Sequence, residues 1–266
     1  MKILQHGFSP DFFLKKMKRS IDRVLFLDFD GTLAPFTTDR NKARPYKGVT
    51  SLLERIMKNS PTRVVIVTGR AATDIQNLLP LPSLPEIWGS HGFERVLPDA
   101  TYSFLEPEGS PSLKALLAID EVLETSKINV DIERKPASRA FHWRGISEPL
   151  IDNLKKNLYA CITPAADQGN LLVKEFDGGL EISVSGRDKG GAVLSVLSEM
   201  PESTFSAYLG DDKTDEDAFR VLRKNKNALS ALVRKEQRKT DAKVWITPPD
   251  ELLDFLKHWE EPAQKR

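Results

Sequence analysis

Two carboxylates stand two residues apart at the end of an apolar run near the N-terminus. The run Val24-Leu25-Phe26-Leu27 predicts a buried strand, and the segment Asp28-Phe29-Asp30-Gly31-Thr32 follows it directly. On an extended segment, residues i and i+2 point to the same side, roughly 6–7 Å apart given a rise of about 3.3 Å per residue. Asp28 and Asp30 could therefore flank one reacting phosphorus, one attacking while the other handles protons.

Three further polar residues follow predicted strands or begin a predicted helix. Thr68 follows the β-branched run Arg63–Val67, Asp211 follows the apolar segment Ser206–Leu209, and Lys189 lies at a helix start. Because open α/β sheets bind ligands at the carboxyl ends of their strands, we expect these residues to converge on one site. A phosphate monoester repels an anionic nucleophile, so an enzyme must surround it with the cations and donors that Thr68 and Lys189 can supply.

The carboxylates also predict a metal site. Asp28 and Asp211, with the backbone carbonyl of Asp30, would provide the hard oxygen ligands that suit Mg²⁺. Attack of a carboxylate on an anionic phosphate in a water-poor pocket requires a cation to offset their repulsion. We therefore predict Mg²⁺ as the cofactor.

The order of apolar runs predicts an α/β fold, namely a Rossmann-like doubly wound parallel sheet with an inserted α+β cap domain. Strands alternate with helices in the first part of the chain, as where Arg63–Val67 precedes the predicted helix Ala72–Leu79. The same alternation resumes from Ser206. We expect residues 1–106 and 185–266 to form the catalytic core.

Between these two core segments the order of elements changes. Helix, two strands, helix and two strands are predicted between Glu106 and Ile182, an order typical of helices on one face of an antiparallel sheet. We expect residues 107–184 to form a cap domain for substrate recognition. Pro and Gly predict its hinges at 107–111 and 185–187.

The composition of the chain limits the kinds of molecule that we expect it to bind. The net charge of +1, from 39 Lys and Arg against 38 Asp and Glu, does not favour nucleic acid or a membrane, so we expect a small molecule. The basic segment Arg223–Lys243 contains no aromatic residue and predicts a solvated surface. The single Cys161, with no apolar run of signal-peptide or transmembrane length, predicts a cytoplasmic protein. Met1–Ser20 predicts a surface helix.

Four motifs in order resemble those of haloacid-dehalogenase-type phosphatases. They are Asp28–Leu33, Thr68–Arg70, Asp188–Gly190 and Gly210–Glu216. Further segments are similar to trehalose-6-phosphate phosphatases within that superfamily, namely Gly89–Glu94, Glu133–Arg144 and Gly210–Asp217, and the resemblance spans most of residues 20–258. Each motif alone is weak evidence, whereas the ordered set is specific.

The resemblance implies catalysis through an aspartyl-phosphate. Asp28 would be the nucleophile that forms it. Asp30 would protonate the leaving sugar oxygen and then activate the water that hydrolyses the intermediate. Thr68 and Lys189 would hold the phosphoryl oxygens.

The resemblance also implies metal and substrate contacts. Asp211 would bind Mg²⁺ directly, and Asp212 and Asp215 would support the site through further contacts. The cap would close over the substrate. The residues expected to contact the substrate are Gly69, Arg70 and His91 in the core and Glu133, Lys135, His142, Arg144 and Glu181 in the cap.

The implied reaction is hydrolysis of trehalose 6-phosphate to trehalose and phosphate in trehalose biosynthesis, with a trehalose-6-phosphate synthase as functional partner. Two positions depart from the family pattern. The chain has Arg134 where relatives often carry Asp, and Ser183-Val184 where they often carry Arg-Pro. Because both lie in the predicted cap, they bear on the sugar and leave the chemistry untouched.

Two other functions remain open from the sequence. A phosphatase for another disaccharide or glycosyl phosphate, such as sucrose 6-phosphate or mannosyl-3-phosphoglycerate, would share every core residue. A non-catalytic sugar-phosphate sensor would not need Asp28, Asp30, Lys189 and Asp211 together. Taken singly, Thr68 could be only a helix cap and the Asp28 segment only a capping turn. By the same reasoning His91 could be a packing residue.

Overall fold

The apolar run that precedes Asp28 lies in the middle of a mixed sheet in the larger of two compact units. This computed structural model describes residues 1–37, 40–106, 108–126, 128–143, 145–176 and 178–263. The larger unit comprises Met1–Ser103 with Asp188–Arg266, and the smaller unit comprises Phe104–Arg187.

The strands are short, and those at the centre of the larger unit are buried at almost every position. In chain order the strands are β1 (Lys2–Ile3), β2 (Arg23–Leu27), β3 (Thr62–Val67), β4 (Glu86–Gly89), β5 (Glu94–Val96), β6 (Tyr102–Phe104), β7 (Asp131–Lys135), β8 (Ser138–His142), β9 (Leu172–Phe176), β10 (Gly179–Ser183), β11 (Phe205–Gly210), β12 (Ala228–Val233) and β13 (Val244–Ile246).

Several helices begin where the sequence supplies a capping side chain. Ser9, Ser110 and Asp188 each accept a hydrogen bond from a backbone N–H of the following turn, which satisfies a donor that the helix itself leaves free. The helices are α1 (Pro10–Met17), α2 (Val49–Asn59), α3 (Ala72–Leu78), α4 (Pro111–Thr125), α5 (Glu148–Gln168), α6 (Lys189–Ser198), α7 (Glu216–Arg223) and α8 (Asp250–Glu260). Within the described part of the chain, none of them combines the length and apolar composition needed to cross a membrane.

The central strands run parallel in the order β13-β12-β11-β2-β3-β4. At one edge β1 pairs antiparallel with β13, and at the other β5 pairs antiparallel with β4 and is followed by β6. The chain order reverses at β2, because β3 lies on one side of it and β11 on the other. Such a switch point is where open α/β sheets bind ligands. The predicted α/β, Rossmann-like fold is confirmed.

Both faces of the central sheet are covered. Leu25 and Leu27 of β2 belong to an apolar cluster with residues of α1, α2, α3 and α8. On the other face Phe26 stacks against Tyr208 of β11, whose ring meets Phe219 of α7 edge-on. This burial explains why β2 is apolar at almost every position instead of alternating.

The smaller unit packs α4 and α5 together beside an antiparallel sheet of order β7-β8-β10-β9. Arg139 of β8 pairs with Asp120 of α4 at 2.7 Å, so the residues in register with Arg139 face the helices. Because side chains alternate along each strand, the neighbouring positions point to the opposite side of this sheet, which we call the polar face. Its residues include Glu133, Lys135, Ser138, His142, Glu181 and Ser183.

The N-terminal segment differs from the predicted surface helix. Lys2–Ile3 forms an edge strand, and the helix spans only Pro10–Met17. Phe13, Leu14 and Met17 are buried in the core of the larger unit. The helix is therefore amphipathic, and its apolar side packs against the sheet.

The prediction of a solvated basic surface between Arg223 and Lys243 was wrong for the middle of that segment. Ala228–Val233 forms β12, which is buried at every position. Lys243 is also buried, and its Nζ donates to the carbonyl oxygens of Asn225 and Ala228 at 2.8 and 2.7 Å. The run that forms β12 is short and lies between basic residues, so the charge of the segment concealed its apolar centre.

A buried guanidinium joins the ends of two helices near the start of β2. Arg23 is fully buried and donates to the carbonyl oxygens of Lys18, Ser20 and Glu261 at 2.7, 2.7 and 2.9 Å. These carbonyls follow α1 and α8. Because these bonds connect the ends of α1 and α8 to one side chain of β2, Arg23 holds both helix ends against the sheet.

Replacing Arg23 by Met should lower the free energy of unfolding by about 3 kcal/mol, because three carbonyl oxygens lose their donor. Urea denaturation followed by circular dichroism measures this change. The exposed Arg19→Met is the matched control and should change stability by less than about 0.5 kcal/mol. Equal effects of the two substitutions would contradict the role given to Arg23.

Candidate active site

The carboxyl ends of three neighbouring parallel strands bring the predicted catalytic residues together. Asp28 follows β2, Thr68 follows β3 and Asp211 follows β11. The N–H of Asp28 donates to the carbonyl of Leu209 at 2.9 Å, and that of Thr68 donates to the carbonyl of Trp88 at 2.9 Å. The hydrogen bonds between strands therefore extend to Asp28 and Thr68 and fix the backbone from which their side chains project.

Lys189 is the first residue of α6, so the helix cap determines where its side chain starts. The cap residue Asp188 accepts from the N–H of Gly191 at 2.8 Å. The Nζ of Lys189 donates to Oδ1 of Asp28 and to Oδ1 of Asp215, both at 2.7 Å. The Lys189 side chain is only 4% exposed. One buried ammonium thus holds two carboxylates from different parts of the chain.

The carboxylate of Asp215 accepts hydrogen bonds from the residues around it at both of its oxygens. Its Oδ1 accepts from Lys189 and from the hydroxyl of Tyr208, both at 2.7 Å. Its Oδ2 accepts from the backbone N–H groups of Asp211 and Asp212, both at 2.9 Å. Since both oxygens are engaged, Asp215 is suited to fix the positions of its neighbours. Asp212 is itself exposed and caps the short helical turn that contains Asp215.

Asp211 differs from Asp215 because a buried oxygen of its carboxylate is not hydrogen-bonded to any described residue. The residue is 1% exposed, and its Oδ2 has no hydrogen-bond partner among the residues that the structure describes. The loop after Asp28 passes close to this oxygen. A Cβ on Gly31, whose φ is +81°, would lie 2.3 Å from Asp211 Oδ2, so only glycine fits there.

Burial dominates the electrostatics of this cluster. It raises the pKa of Asp28 to about 7, although the Lys189 ammonium opposes the shift. Burial, with repulsion from Asp28 and Asp215, raises the pKa of Asp211 to about 9. Burial alone would lower the pKa of Lys189, but the carboxylates of Asp215 and Asp28 raise it above its usual value, so its ammonium stays charged.

The acidic cluster fits a hard divalent cation. Asp28, Asp211 and Asp215 each have a carboxylate oxygen within 4.8 Å of the others, and all three residues are buried. When all are ionised, Lys189 offsets one of their three negative charges. The oxygen donors, the remaining charge and the unused Oδ2 of Asp211 are what a cation bound through few carboxylates requires. Asp28 and Asp211 are the candidate direct ligands, because the oxygens of Asp215 are already engaged.

The second carboxylate of the opening motif pairs with a different cation. Arg70 donates from Nε to Oδ2 of Asp30 at 2.6 Å and from Nη2 to Oδ1 at 2.7 Å. Its guanidinium lies 5.8 Å from the centre of the Phe29 ring. Asp30 remains 30% exposed. The fork of Arg70 fixes the orientation of the Asp30 carboxylate, and each oxygen keeps lone-pair capacity for a proton.

Thr68 and Gly69 lie against His91 beside this pair. The Oγ1 of Thr68 accepts from the N–H of Arg70 at 3.2 Å, and the carbonyl of Thr68 accepts from the N–H of His91 at 2.9 Å. A Cβ on Gly69 would lie 2.6 Å from the His91 ring. Glycine at this position therefore allows the imidazole to lie against the backbone between Thr68 and Arg70.

The backbone that carries His91 is in a conformation unfavourable for most residues. Ser90 and His91 have φ values of +47° and +56°, which cost free energy for residues with a Cβ. The buried Glu94 accepts from the hydroxyl of Ser90 at 2.5 Å and from the N–H of Ala72 at 3.3 Å. Burial raises the pKa of Glu94. This carboxyl group holds the turn in place.

The polar face of the smaller unit has its own charged network. Lys135 Nζ donates to Glu181 Oε1 at 2.9 Å, and the Ser138 hydroxyl donates to the same oxygen at 2.8 Å. Glu133 lies 3.5 Å from the Lys135 ammonium and 3.3 Å from Nε2 of His142. These predicted substrate-binding residues therefore lie together on neighbouring strands, whereas Arg144 lies outside the described residues.

The two departures from the family pattern lie on different sides of this sheet. Arg134 is turned toward the helices, where its Nε is 3.2 Å from Asp120 Oδ1. Ser183 is two residues after Glu181 in β10 and shares the polar face with it. The second departure therefore lies where polar residues cluster, and the first does not.

Two residues of these clusters were missed in the sequence. Tyr208 lies inside a run read only as a buried strand, although a buried tyrosine hydroxyl usually has a hydrogen-bond partner, which was a usable signal. Ser138 had no such signal, because only the pairing of β8 with β10 brings it to Glu181.

Without a bound cation, the stability of the protein should fall as pH rises between about 4 and about 9. Over this range native Asp28 and Asp211 retain protons that the unfolded chain has lost, because their pKa values are raised from 3.8 to about 7 and about 9. Each proton retained only by the native state contributes a slope of about 1.4 kcal/mol per pH unit. Urea denaturation in EDTA across this range measures the slope.

Asp211→Asn removes one of the two titrating groups, so it should reduce this pH dependence, most of all between about pH 7 and about pH 9. Divalent cations should restore more stability at the alkaline end, because they bind the deprotonated ligands. A stability in EDTA that does not change with pH would contradict the electrostatic description.

The chain is similar to known proteins of one family. The model of the Trehalose-phosphatase family matches residues 26–247. Probable trehalose-phosphate phosphatase I of Arabidopsis thaliana is 31% identical over 276 residues, which cover 96% of this chain and 72% of that protein. The trehalose-phosphate phosphatase of Mycobacterium ulcerans is 30% identical, covering 87% of this chain and 60% of its own length.

Solved structures agree with the fold. One described as a trehalose-6-phosphate phosphatase related protein is 26% identical with a TM-score of 0.69, covering 89% of this chain and 96% of that one. The C-terminal domain of the Candida albicans trehalose-6-phosphate phosphatase superposes with a TM-score of 0.74 at 19% identity, covering 98% and 99% of the two chains, and so shows the fold alone. The family match contains the segments of Asp28, Thr68, Lys189 and Asp211, and with the similarity to both relatives it shows that the chain belongs to the trehalose-phosphatase family.

Proposed function

We propose that this protein hydrolyses trehalose 6-phosphate to trehalose and phosphate. The observation that carries the proposal is the buried contact of Lys189 with Asp28 beside the unused oxygen of Asp211, at the switch point of the sheet. A protein that only bound a sugar phosphate would gain nothing from burying a carboxylate where the phosphate must bind. A nucleophile, however, must lie there.

We further propose that the bound cation is Mg²⁺, held by Asp28, Asp211 and the backbone carbonyl of Asp30. Asp212 and Asp215 would support these ligands, as the contacts of Asp215 with the backbone of both neighbours indicate. When bound, Mg²⁺ would offset the repulsion between the carboxylates and the phosphate.

In the first half-reaction, Asp28 attacks the phosphorus through a carboxylate oxygen. The bond between phosphorus and the sugar oxygen breaks as an aspartyl-phosphate forms, and Asp30 donates a proton to the departing oxygen. The hydroxyl group of Thr68 donates a hydrogen bond to a phosphoryl oxygen. Lys189, already 2.7 Å from Asp28, provides a positive charge beside the phosphoryl group throughout.

In the second half-reaction, water attacks the same phosphorus and the bond to Asp28 breaks. Asp30, which has just lost a proton, accepts one from the attacking water. Phosphate leaves, Asp28 is again a carboxylate and Asp30 is again protonated. Arg70 holds Asp30 through both steps and, with Gly69 and His91, would contact the substrate.

The smaller unit would act as the cap domain that recognises the sugar. The polar face carries acidic, basic and hydroxyl groups at hydrogen-bonding distance from one another, and Glu133, Lys135, His142 and Glu181 would exchange such contacts for those of sugar hydroxyls. Arg144 would also contact the sugar. A trehalose-6-phosphate synthase would supply the substrate.

Another disaccharide or glycosyl phosphate is the second candidate substrate. The observation that favours it is Ser183, which shares the polar face with Glu181 at a position where relatives often carry Arg. A shorter, uncharged side chain at this position leaves room and removes a charge.

A direct assay tests the proposed function. With Mg²⁺, the purified protein should release phosphate from trehalose 6-phosphate at least about tenfold more efficiently, as kcat/KM, than from sucrose 6-phosphate, mannosyl-3-phosphoglycerate or glucose 6-phosphate, a difference of about 1.4 kcal/mol in transition-state binding. Preference for another of these esters would overturn the substrate and keep the reaction. Absence of phosphate release from all four would overturn the enzyme.

Asp28→Asn should lower kcat by at least about a thousandfold, because an amide is a poor nucleophile. Asp30→Asn should lower it by about a hundredfold or more, because both proton transfers lose their acid and base. Steady-state phosphate release measures both, and circular dichroism checks that each variant is folded. Full activity of folded Asp28→Asn would refute its role.

A further inference from the structure

Two arginines after β12 donate hydrogen bonds to the backbone of the loop that carries Asp211. Arg234 Nη1 donates to the carbonyl oxygen of Asp211 at 3.3 Å, and Arg238 Nε donates to the same oxygen at 3.2 Å. Arg238 Nη2 also donates to the carbonyl oxygen of Asp212 at 2.6 Å. Both arginines belong to the basic segment that was predicted to be a solvated surface, and both are only partly exposed.

Arg238 is itself held on other sides. Its Nη1 donates to Oε1 of Glu216, in the first turn of α7, and to the carbonyl oxygen of Lys239 at 2.9 Å. The other oxygen of Glu216 accepts from the N–H of Asp241 at 2.7 Å. The Arg238 side chain is 21% exposed. Its guanidinium therefore connects the loop after β11 with the loop after β12 in a defined geometry.

The backbone N–H and carbonyl of Asp211 are both hydrogen-bonded, whereas its carboxylate keeps a buried oxygen without a partner among the described residues. The N–H of Asp211 donates to Asp215 at 2.9 Å, and its carbonyl oxygen accepts from Arg234 and Arg238. Its Oδ2 has no hydrogen-bond partner among the described residues and is buried. With the backbone fixed on both sides, the position of Oδ2 depends on few remaining torsions.

We propose that Arg238 is a positioning residue that sets the affinity of Asp211 for the divalent cation, with Arg234 in a weaker supporting role. This inference rests on the Mg²⁺ site of the proposed function. A ligand that is already oriented binds a cation without first losing conformational freedom, and groups that orient ligands typically change metal affinity by about 10- to 100-fold. Arg238 touches no reacting atom and acts through the carbonyl groups of Asp211 and Asp212.

The experiment compares Arg238→Gln and Arg238→Lys with wild type and with the matched control Lys235→Gln. Lys235 is exposed and lies three residues away in the same segment. The thermal midpoint of each protein is measured in EDTA and during titration with Mg²⁺, because a ligand that binds only the native state raises the midpoint by an amount that grows with the ratio of its concentration to its Kd. Mg²⁺ alone is the probe, so no turnover is required.

We expect Arg238→Gln to need at least about tenfold more Mg²⁺ than wild type for the same rise in midpoint. Arg238→Lys keeps the charge but cannot reach two carbonyls with one planar fork, so it should also need more Mg²⁺. Lys235→Gln should follow the wild-type curve. In the assay of phosphate release, the Arg238 variants should recover most of their kcat at saturating Mg²⁺, which a general loss of folding would not allow.

The possible outcomes separate this inference from the proposed function. If wild type shows no Mg²⁺-dependent rise in midpoint, the Mg²⁺ site of the proposed function fails. If wild type shows the rise and both Arg238 variants need no more Mg²⁺ than it does, only the role of Arg238 is overturned. A lower midpoint in EDTA with an unchanged Mg²⁺ requirement would make Arg238 a structural residue and would also overturn the inference. If Arg238→Gln fails to fold, Arg238→Lys decides.

Discussion

The ammonium of Lys189 is the interaction on which the candidate active site depends. It lies 2.7 Å from both Asp28 and Asp215 in a buried cluster, and without it three carboxylates would repel one another in a medium that solvates them poorly. The same ammonium is placed where a phosphoryl group would need positive charge. One cation therefore allows the fold to bury its acids and prepares the site for an anion.

The remaining contacts provide hydrogen-bond partners for the other acidic groups of the cluster. They leave the Oδ2 of Asp211 available to bind a cation. Asp215 is engaged at both oxygens, Asp30 is held by Arg70, and the backbone of Asp211 is held on both sides. The Oδ2 of Asp211, which no described residue contacts through a hydrogen bond, is buried beside Gly31. An unpaired buried carboxylate oxygen is costly, so it is most readily understood as a place where another group binds.

In the proposed function, the larger unit would carry out the chemistry and the smaller unit would recognise the sugar. The four motifs of the larger unit would serve any phosphate monoester, since they act on the phosphoryl group alone. The sugar would be selected by the polar face of the smaller unit, where Glu133, Lys135 and Glu181 form one network. Of the two departures from the family pattern, Arg134 faces Asp120 of α4, and Ser183 alone shares that polar face.

The sequence by itself determined the α/β fold and the strand before Asp28, because an apolar run of this length between polar turns can be buried in few ways. It did not reveal β12, since that short run lies among basic residues. Nor could it show that Arg238 reaches the carbonyl of Asp211, because 27 residues separate them and only the pairing of β11 with β12 joins their loops. Residue types are local, but the partners that orient them are decided by tertiary structure.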